Sequence, residues 1–190
     1  NRIFRGRVVW QLYDRDGKLI FDLEKTLSLA AGKAHRVLGQ SQVLQPRLWS
    51  PDSPHLYKLH VYVQDTNGKT VDGYYCRIGI RSIEFKGEDG FWLNGKPYPE
   101  PLIGANRRQD FAVIGNALSN SLHWRDAKKL RDAGLRVIRN AHYPQDPRLY
   151  GCLRRAGSLR DCQHTGMAIL ESGAGLRTTR VQRHPQHGAA

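Results

Sequence analysis

Two apolar runs, Leu102-Ile103 and Leu135 to Ile138, each stop at a polar cluster, and a helix-like segment separates them. The first cluster is Gly104-Ala-Asn-Arg-Arg-Gln-Asp110 and the second is Arg139-Asn-Ala-His-Tyr-Pro144. Between them Ser119, Asn120 and Ser121 offer helix N-caps, and Leu122, Ala127, Leu130 and Ala133 fall near one helical face. Gly134 stands where a helix end favours a positive φ angle. The pattern predicts one βαβ unit with polar chemistry at the C-terminal tip of both strands. In parallel α/β folds that edge binds ligands, because the strands end there and the loops diverge around a crevice.

The sequence before this unit has a different period. Val8 to Tyr13 is β-branched and aromatic, and Asp14-Arg-Asp-Gly17 turns it into Lys18 to Phe21. Thr26 to Leu29 alternates, Gly32-Lys33 interrupts, and Gln42 to Leu44 reads as a further short strand. Leu59, Val61 and Val63 alternate with His60, Tyr62 and Gln64, so one face is expected to be buried and the other partly wet. Thr66-Asn-Gly-Lys69 is a hairpin turn leading into Thr70 to Ile80. Short strands with no intervening helix predict an immunoglobulin-like β-sandwich over residues 1–85. In Leu48-Trp-Ser-Pro-Asp-Ser-Pro-His-Leu-Tyr57 the prolines prevent regular structure, and Trp49 and Tyr57 are expected to pin the loop to the sandwich. Farther on, Gly87 to Gly90 turns into Phe91 to Leu93, and Asn94-Gly95 closes a short hairpin.

The formal charge is +13, of which residues 1–150 carry +9 and residues 151–190 carry +4. No long basic run exists, only pairs such as Lys128-Lys129 and Arg154-Arg155, so the charge reads as a solvated surface and no nucleic-acid partner is expected. Cys76, Cys152 and Cys162 form no C-x-x-C and no disulfide framework. No apolar stretch approaches the roughly 20 residues of a membrane-spanning helix, and no membrane partner is expected. Neither a metal nor a cofactor is expected, since His184-Pro-Gln-His187 lacks further ligands. The opening Asn-Arg-Ile-Phe runs straight into strand-like sequence, as in a chain that begins inside a domain.

Five segments together carry a resemblance: Leu48 to Tyr57, Gly79-Ile-Arg-Ser82, Leu93-Asn-Gly-Lys-Pro97, Gly104-Ala-Asn-Arg107 and Arg139-Asn-Ala-His-Tyr-Pro144. In order and spacing they resemble glycoside hydrolase family 2, the β-galactosidase and β-glucuronidase group. The resemblance implies an N-terminally incomplete immunoglobulin-like sandwich over 1–85. It also implies the first βα units of an incomplete (β/α)8 TIM barrel over 86–150, in agreement with the independent βαβ reading. The implied activity is hydrolysis of terminal β-glycosidic bonds, with a carbohydrate as partner. Asn106 and Arg107 match the family's Asn-Arg at the end of the first barrel strand, and Arg139, Asn140 and His142 fall in the motif ending the second. Imidazole and guanidinium groups there would supply directional donors to sugar hydroxyls. A structural alternative stands beside this: a buried ion pair for Arg107 or Arg139, and a hydrogen-bonded structural histidine for His142.

The sequence departs from the family pattern at two places. Arg108 stands where the family usually has His, which puts a permanent cation in place of a ring. Pro99 and Pro101 deprive the approach to the first barrel strand of amide donors. The chemistry itself needs two carboxyl groups roughly 5 to 9.5 Å apart. Family members take both from later barrel strands, and none of Glu100, Asp110, Asp126, Asp132 and Asp146 matches such a position. The chain is therefore expected to be inactive alone, with no catalytic residue of its own. A non-catalytic carbohydrate-binding or scaffold module is the alternative reading.

After Tyr150 the resemblance stops in the sequence as written, and 151–190 reads as a non-native or disordered tail. Back-translation suggests an origin. Tyr150-Gly-Cys-Leu-Arg-Arg can be written with codons that, after deletion of one G, give Tyr-Asp-Ala-Cys-Asp-Glu. The same frame continues Leu-Gly-Leu-Phe-Val-Ile-Val, a helix end, a capping Gly and a buried strand. Residues 151–190 thus read as barrel-coding DNA translated one base out of frame, and the tail's positive charge follows from that frame.

Overall fold

The computed structural model describes residues 3–141 and 143–162. His142, residues 163–190 and the His184 to His187 segment lie outside the described residues.

The N-terminal part is a four-stranded antiparallel sheet of β1 (Phe4–Tyr13), β2 (Leu19–Leu29), β3 (Tyr57–Asp65) and β4 (Thr70–Ile78), in the order β2-β1-β3-β4. Both expected hairpins form. Asp14 Oδ1 accepts from the amides of Asp16 and Lys18, closing the turn between β1 and β2. Asp65 Oδ1 does the same for Asn67 and Lys69 between β3 and β4. Thr26 to Leu29 is no separate strand; it completes β2, which pairs with β1 without a break from Phe21 to Leu29. Leu12, Tyr57 and Leu59 form the core of the inner face, joined by Phe21, Val43, Val61, Cys76 and Ile78. Burying one such Leu contributes about 2 kcal/mol.

Gln42 to Leu44 is not a strand. Residues 30–56 form no named strand and run as an extended segment over the inner face. Val43 packs onto the core, Gly39 lies against Leu23 and Trp10, and the Arg47 amide donates to the Tyr57 hydroxyl at 2.8 Å. The alternation expected of a strand is present there, but the prolines at 46, 51 and 54 remove ladder donors.

A small antiparallel sheet follows: β5 (Ile83–Phe85), β6 (Phe91–Leu93) and β7 (Lys96–Pro97), with the expected turn at Asn94-Gly95. Next come β8 (Gly104–Arg107), α1 (Asn120–Asp132), β9 (Val137–Asn140), α2 (Pro147–Ala156) and β10 (Leu159–Cys162). β8, β9 and β10 make a parallel sheet ordered β10-β9-β8. Ala127 of α1, Ile138 of β9, and Leu149, Cys152 and Leu153 of α2 form its helix-facing core.

Two sequence expectations are corrected here. The apolar pair Leu102-Ile103 precedes β8 instead of forming it, so the polar residues 104–107 are themselves the strand. Pro99 and Pro101 have no N–H to give, and pairing starts only at the Ile103 carbonyl, which accepts from the amides of Arg136 and Val137. The second correction concerns the boundary at residue 150. The chain does not leave the fold there: α2 continues through Ala156, Gly157 ends it, and β10 pairs with β9 in register from Leu159↔Val137 to Cys162↔Asn140. The helix is N-capped by Asp146, which accepts from the Arg148 amide, and Pro147 sits at its first position. Its apolar face, Leu149, Cys152 and Leu153, is present in the sequence as written, so the reading of 151–162 as a disordered tail fails.

The loop holding Trp49 joins the two parts. Trp49 is fully buried and its Nε1 donates to the Arg154 carbonyl of α2 at 3.0 Å. Asn94 Nδ2 donates to the Trp49 carbonyl, and Arg131 of α1 donates to the Pro51 carbonyl and to Asp52 Oδ1. A Cβ on Gly157 would meet the Pro51 carbonyl at 2.1 Å. Trp49 thus pins its loop to the βα units as well as to the sheet, more than the sequence suggested.

Candidate functional site

The two faces of the parallel sheet are decided by side chains that touch α1 and α2. Ile138 packs among Ala127, Leu149 and Leu153, so it points toward the helices. Side chains alternate along a strand, which puts Asn140 on the helical side and Val137 and Arg139 on the opposite side. On β8, Arg107 reaches α1 and Asn106 faces the other way. Asn106 and Arg139 then meet on the non-helical face, with Arg139 Nη1 donating to Asn106 Oδ1 at 3.3 Å. In a closed barrel that face is the interior.

The five residues expected at the site therefore divide. Asn106 and Arg139 are together on the inner face at the C-terminal strand ends. Arg107 and Asn140, opposite each other in the β8–β9 register, point into the helical layer and are 6% and 3% exposed. His142 lies outside the described residues.

Arg107 is the centre of a buried polar cluster. Its Nη1 donates to Gln145 Oε1 at 2.7 Å, and its Nη2 donates to Asp126 Oδ2 at 2.9 Å and lies 3.2 Å from His123 Nδ1. Gln145 Nε2 returns a bond to the Arg107 carbonyl. His123 is fully buried, and its Nε2 faces Asp146 Oδ2 across 3.7 Å. Burial, and then the Arg107 guanidinium, hold the His123 imidazole below its ordinary pKa, with Asp146 and Asp126 opposing them. The cluster ties the tip of β8 to α1 and to the loop entering α2.

Sequence reasoning assigned Asp126 only to the outer helix and passed over His123 and Gln145. A signal existed: His123 and Asp126 are three residues apart and share one helix face, opposite a strand ending in Arg107. The apolar pattern hides it, because Leu122 reads as the inward residue whereas His123 is the one fully buried.

The carboxyl groups are mostly engaged. Asp126 pairs with Arg107, Asp132 with Lys128 at 2.6 Å, Glu100 with Arg136 at 3.7 Å, and Asp146 caps α2. Asp110 alone opens into a pocket of about 480 Å³, which Arg108, Gly115, Asn116 and Tyr143 also line. Gln109 fixes that pocket's wall: its amide donates to the Tyr143 hydroxyl, which donates back to the Gln109 carbonyl, and its Nε2 donates to the Asn116 carbonyl. Among the described residues no group of three or more His, Cys, Asp or Glu side chains could hold a metal ion.

Adjacent parallel strands, helices on one side and an opposite face that ends in Asn106 and Arg139 agree with two family descriptions. Residues 2–81 match Glycosyl hydrolases family 2, and residues 83–172 match Glycosyl hydrolases family 2, TIM barrel domain. The chain belongs to glycosyl hydrolase family 2. Within this family it has the sandwich-type domain followed by the start of the TIM barrel domain, and the barrel match runs past residue 150. A β-glucuronidase of Bacteroides fragilis is 34% identical over 161 residues, covering 83% of this chain and 22% of that protein. A β-galactosidase of Thermoanaerobacter pseudethanolicus is 27% identical over 174 residues, covering 89% of this chain and 21% of that one. The crystal structure of Bacteroides uniformis β-glucuronidase superposes with a TM-score of 0.77 at 33% identity, over 84% of this family 2 chain and 19% of its own. The chain thus spans about a fifth of the length of these relatives.

Proposed function

We propose that this chain supplies one rim of the sugar site of a family 2 β-glycosidase and does not hydrolyse glycosides by itself. The observation that carries the reading is the Asn106–Arg139 pair, placed side by side on the inner face of two adjacent parallel strands at their C-terminal ends. An amide and a guanidinium there offer donors and an acceptor to the hydroxyls of a terminal sugar. Arg107 acts from behind, tying the tip of β8 to α1 and to the loop entering α2. The parent's substrate is a β-galactoside or related glycoside, consistent with relatives named as β-galactosidase and β-glucuronidase.

In this proposal the sandwich, to about residue 85, is immunoglobulin-like, and the barrel that follows is incomplete. Hydrolysis needs an acid and a second carboxylate on opposite sides of the glycosidic bond. Four of the five carboxyl groups in residues 100–146 are tied to cations or a helix end, which leaves Asp110 without a partner carboxylate for that task. The test combines a chromogenic β-galactoside and β-glucuronide assay with a nuclear magnetic resonance titration of the same sugars. No turnover is expected, together with shift changes at Asn106 and Arg139. Turnover above background, or shift changes confined to the four-stranded sheet, overturns the proposal.

A further inference from the structure

We propose that β4 is a self-association edge, where a second copy of this chain pairs antiparallel across a two-fold axis at Tyr74. This edge is separate from the sugar rim and does not depend on it. β4 is the last strand of the order β2-β1-β3-β4, and among the described residues no strand pairs with its far side. Thr70 to Tyr75 are exposed without a break, so both faces and the edge of this stretch are uncovered. Tyr74 and Tyr75 are 64% and 62% exposed. Strand edges are ordinarily blunted by lysine, proline or other charge. β2, at the other end of the sheet, carries Asp22, Glu24 and Lys25, whereas β4 has neither lysine nor proline.

The backbone decides which groups are on offer. The Asp65 amide donates to the Lys69 carbonyl, so the odd-numbered residues of β3 bond toward β4. Their partners, from Val63↔Asp72 to Tyr57↔Ile78, are the even-numbered residues of β4. Gly73, Tyr75 and Arg77 therefore turn their amides and carbonyls outward, and the Gly73 amide bonds at 2.8 Å to Asp72 Oδ1 instead of to β3. A two-fold axis through Tyr74 sets Gly73 of one copy opposite Tyr75 of the other, two outward-bonding residues on the same face.

The side chains fit this register. Tyr75 shares the outer face with His60, and its ring stands 5.9 Å from that imidazole. Two residues back on the same face, Gly73 leaves a groove of about 360 Å³ that Tyr62, His60 and Thr70 also line. Each copy thus carries a knob and a hole two residues apart, and the axis at Tyr74 seats each Tyr75 over the other copy's Gly73. An aromatic ring across from a strand glycine is a favourable cross-strand pair. On the inner face the two Tyr74 rings meet at the axis. A slip of two residues in either direction sets Tyr75 against Tyr75 or Gly73 against Gly73 and loses both fits. The edges left over are the charged β2 strands, so association closes at two copies.

The test is sedimentation velocity of the whole 190-residue chain over a wide concentration range, with amide hydrogen exchange on the same samples. Monomer and dimer are expected in concentration-dependent exchange, of the weak kind that a small interface supports. Exchange should slow at Gly73 and Tyr75 as concentration rises, and stay constant at Tyr74 and Cys76, whose amides already bond to β3. Val71→Lys sets a cation opposite Arg77 of the second copy, and Tyr75→Lys removes the knob. Each should weaken the dimer by at least about tenfold. Both positions are exposed, so each variant is expected to keep the monomer's melting temperature, and either alone decides the point if the other loses its fold. Monomer at every concentration, growth past two copies, slowed exchange in β2 in place of β4, or a dimer that the lysine variants leave intact overturns the proposal.

Discussion

The Arg107 guanidinium lies 3.2 Å from Nδ1 of His123, and a guanidinium can only donate. Nδ1 must therefore be the bare nitrogen of the ring, and the proton sits on Nε2, the atom facing Asp146 Oδ2. One contact fixes the tautomer of a fully buried histidine and keeps it neutral beside a buried cation.

This has a pH consequence. His123 is held below its ordinary pKa of 6.5, so in the folded protein it stays neutral while the unfolded chain takes up a proton. Unfolding then binds a proton in the window below 6.5, and stability falls as pH drops through it, by at most about 1.4 kcal/mol per pH unit. Melting temperatures from pH 8 to 5 should decline less steeply in His123→Gln than in the wild type. Parallel decline in both would show that His123 does not titrate on unfolding.

Asp126 and Asp132 lie on the same helix and are both paired with cations, but their pairs differ in burial. Arg107 and Asp126 are 6% and 19% exposed, whereas Lys128 and Asp132 are 61% and 58% exposed. Asp126→Asn strands a buried guanidinium and is expected to cost roughly 3 kcal/mol, while Asp132→Asn costs less than about 1 kcal/mol. Urea unfolding of the two variants measures this directly. Similar losses in both would mean that the Arg107 cluster is no more than a surface pair.

Much of this was readable in the residues, for physical reasons that can be named. Alternation at Leu59, Val61 and Val63 and the Asn67-Gly68 turn gave β3 and β4, because strand period and turn chemistry are local properties. The βαβ unit was legible for the same reason. Hidden was which way each polar strand residue points: Asn106 and Arg107 are neighbours in sequence but face opposite layers, and the strand's start was obscured by Leu102-Ile103, which lie outside it. The Arg107 cluster draws on residues from 107 to 146, a separation over which no local period operates.

Trp49 offers a test of how the two parts are joined. Trp49→Phe keeps the buried ring but loses the bond to the Arg154 carbonyl, at an expected cost of about 1 kcal/mol; Trp49→Ala should cost roughly 3–5 kcal/mol. Gly157→Ala should also destabilise, since its φ of 76° is unfavourable for alanine and the new Cβ would strike Pro51. In Trp49→Ala the four-stranded sheet and the βα units are expected to unfold at different urea concentrations, seen as non-coincident fluorescence and circular dichroism curves. A single coincident transition would show that the loop is not the coupling between them.

The last prediction concerns the nucleotide sequence after codon 150. Gly157 is the same residue in the frame as written and in the frame restored by removing one base, so the cap of α2 forms in either. The two frames differ from residue 151 on, apart from Gly157, and the difference bears most on β10. A parallel strand flanked by helices is normally apolar throughout, yet the written frame places Arg160 and Asp161 in it, and the restored frame places Phe-Val-Ile-Val over 159–162. We therefore expect the gene to hold one extra base between codons 150 and 151, with codons through 162 compatible with the restored reading. A chain made from the corrected frame should be more stable than the written one by the burial of these side chains, at about 25 cal/mol per Å² of apolar area. Codons that cannot yield the restored residues, or a corrected chain no more stable to urea, would sink the idea and leave the written β10 as the native strand.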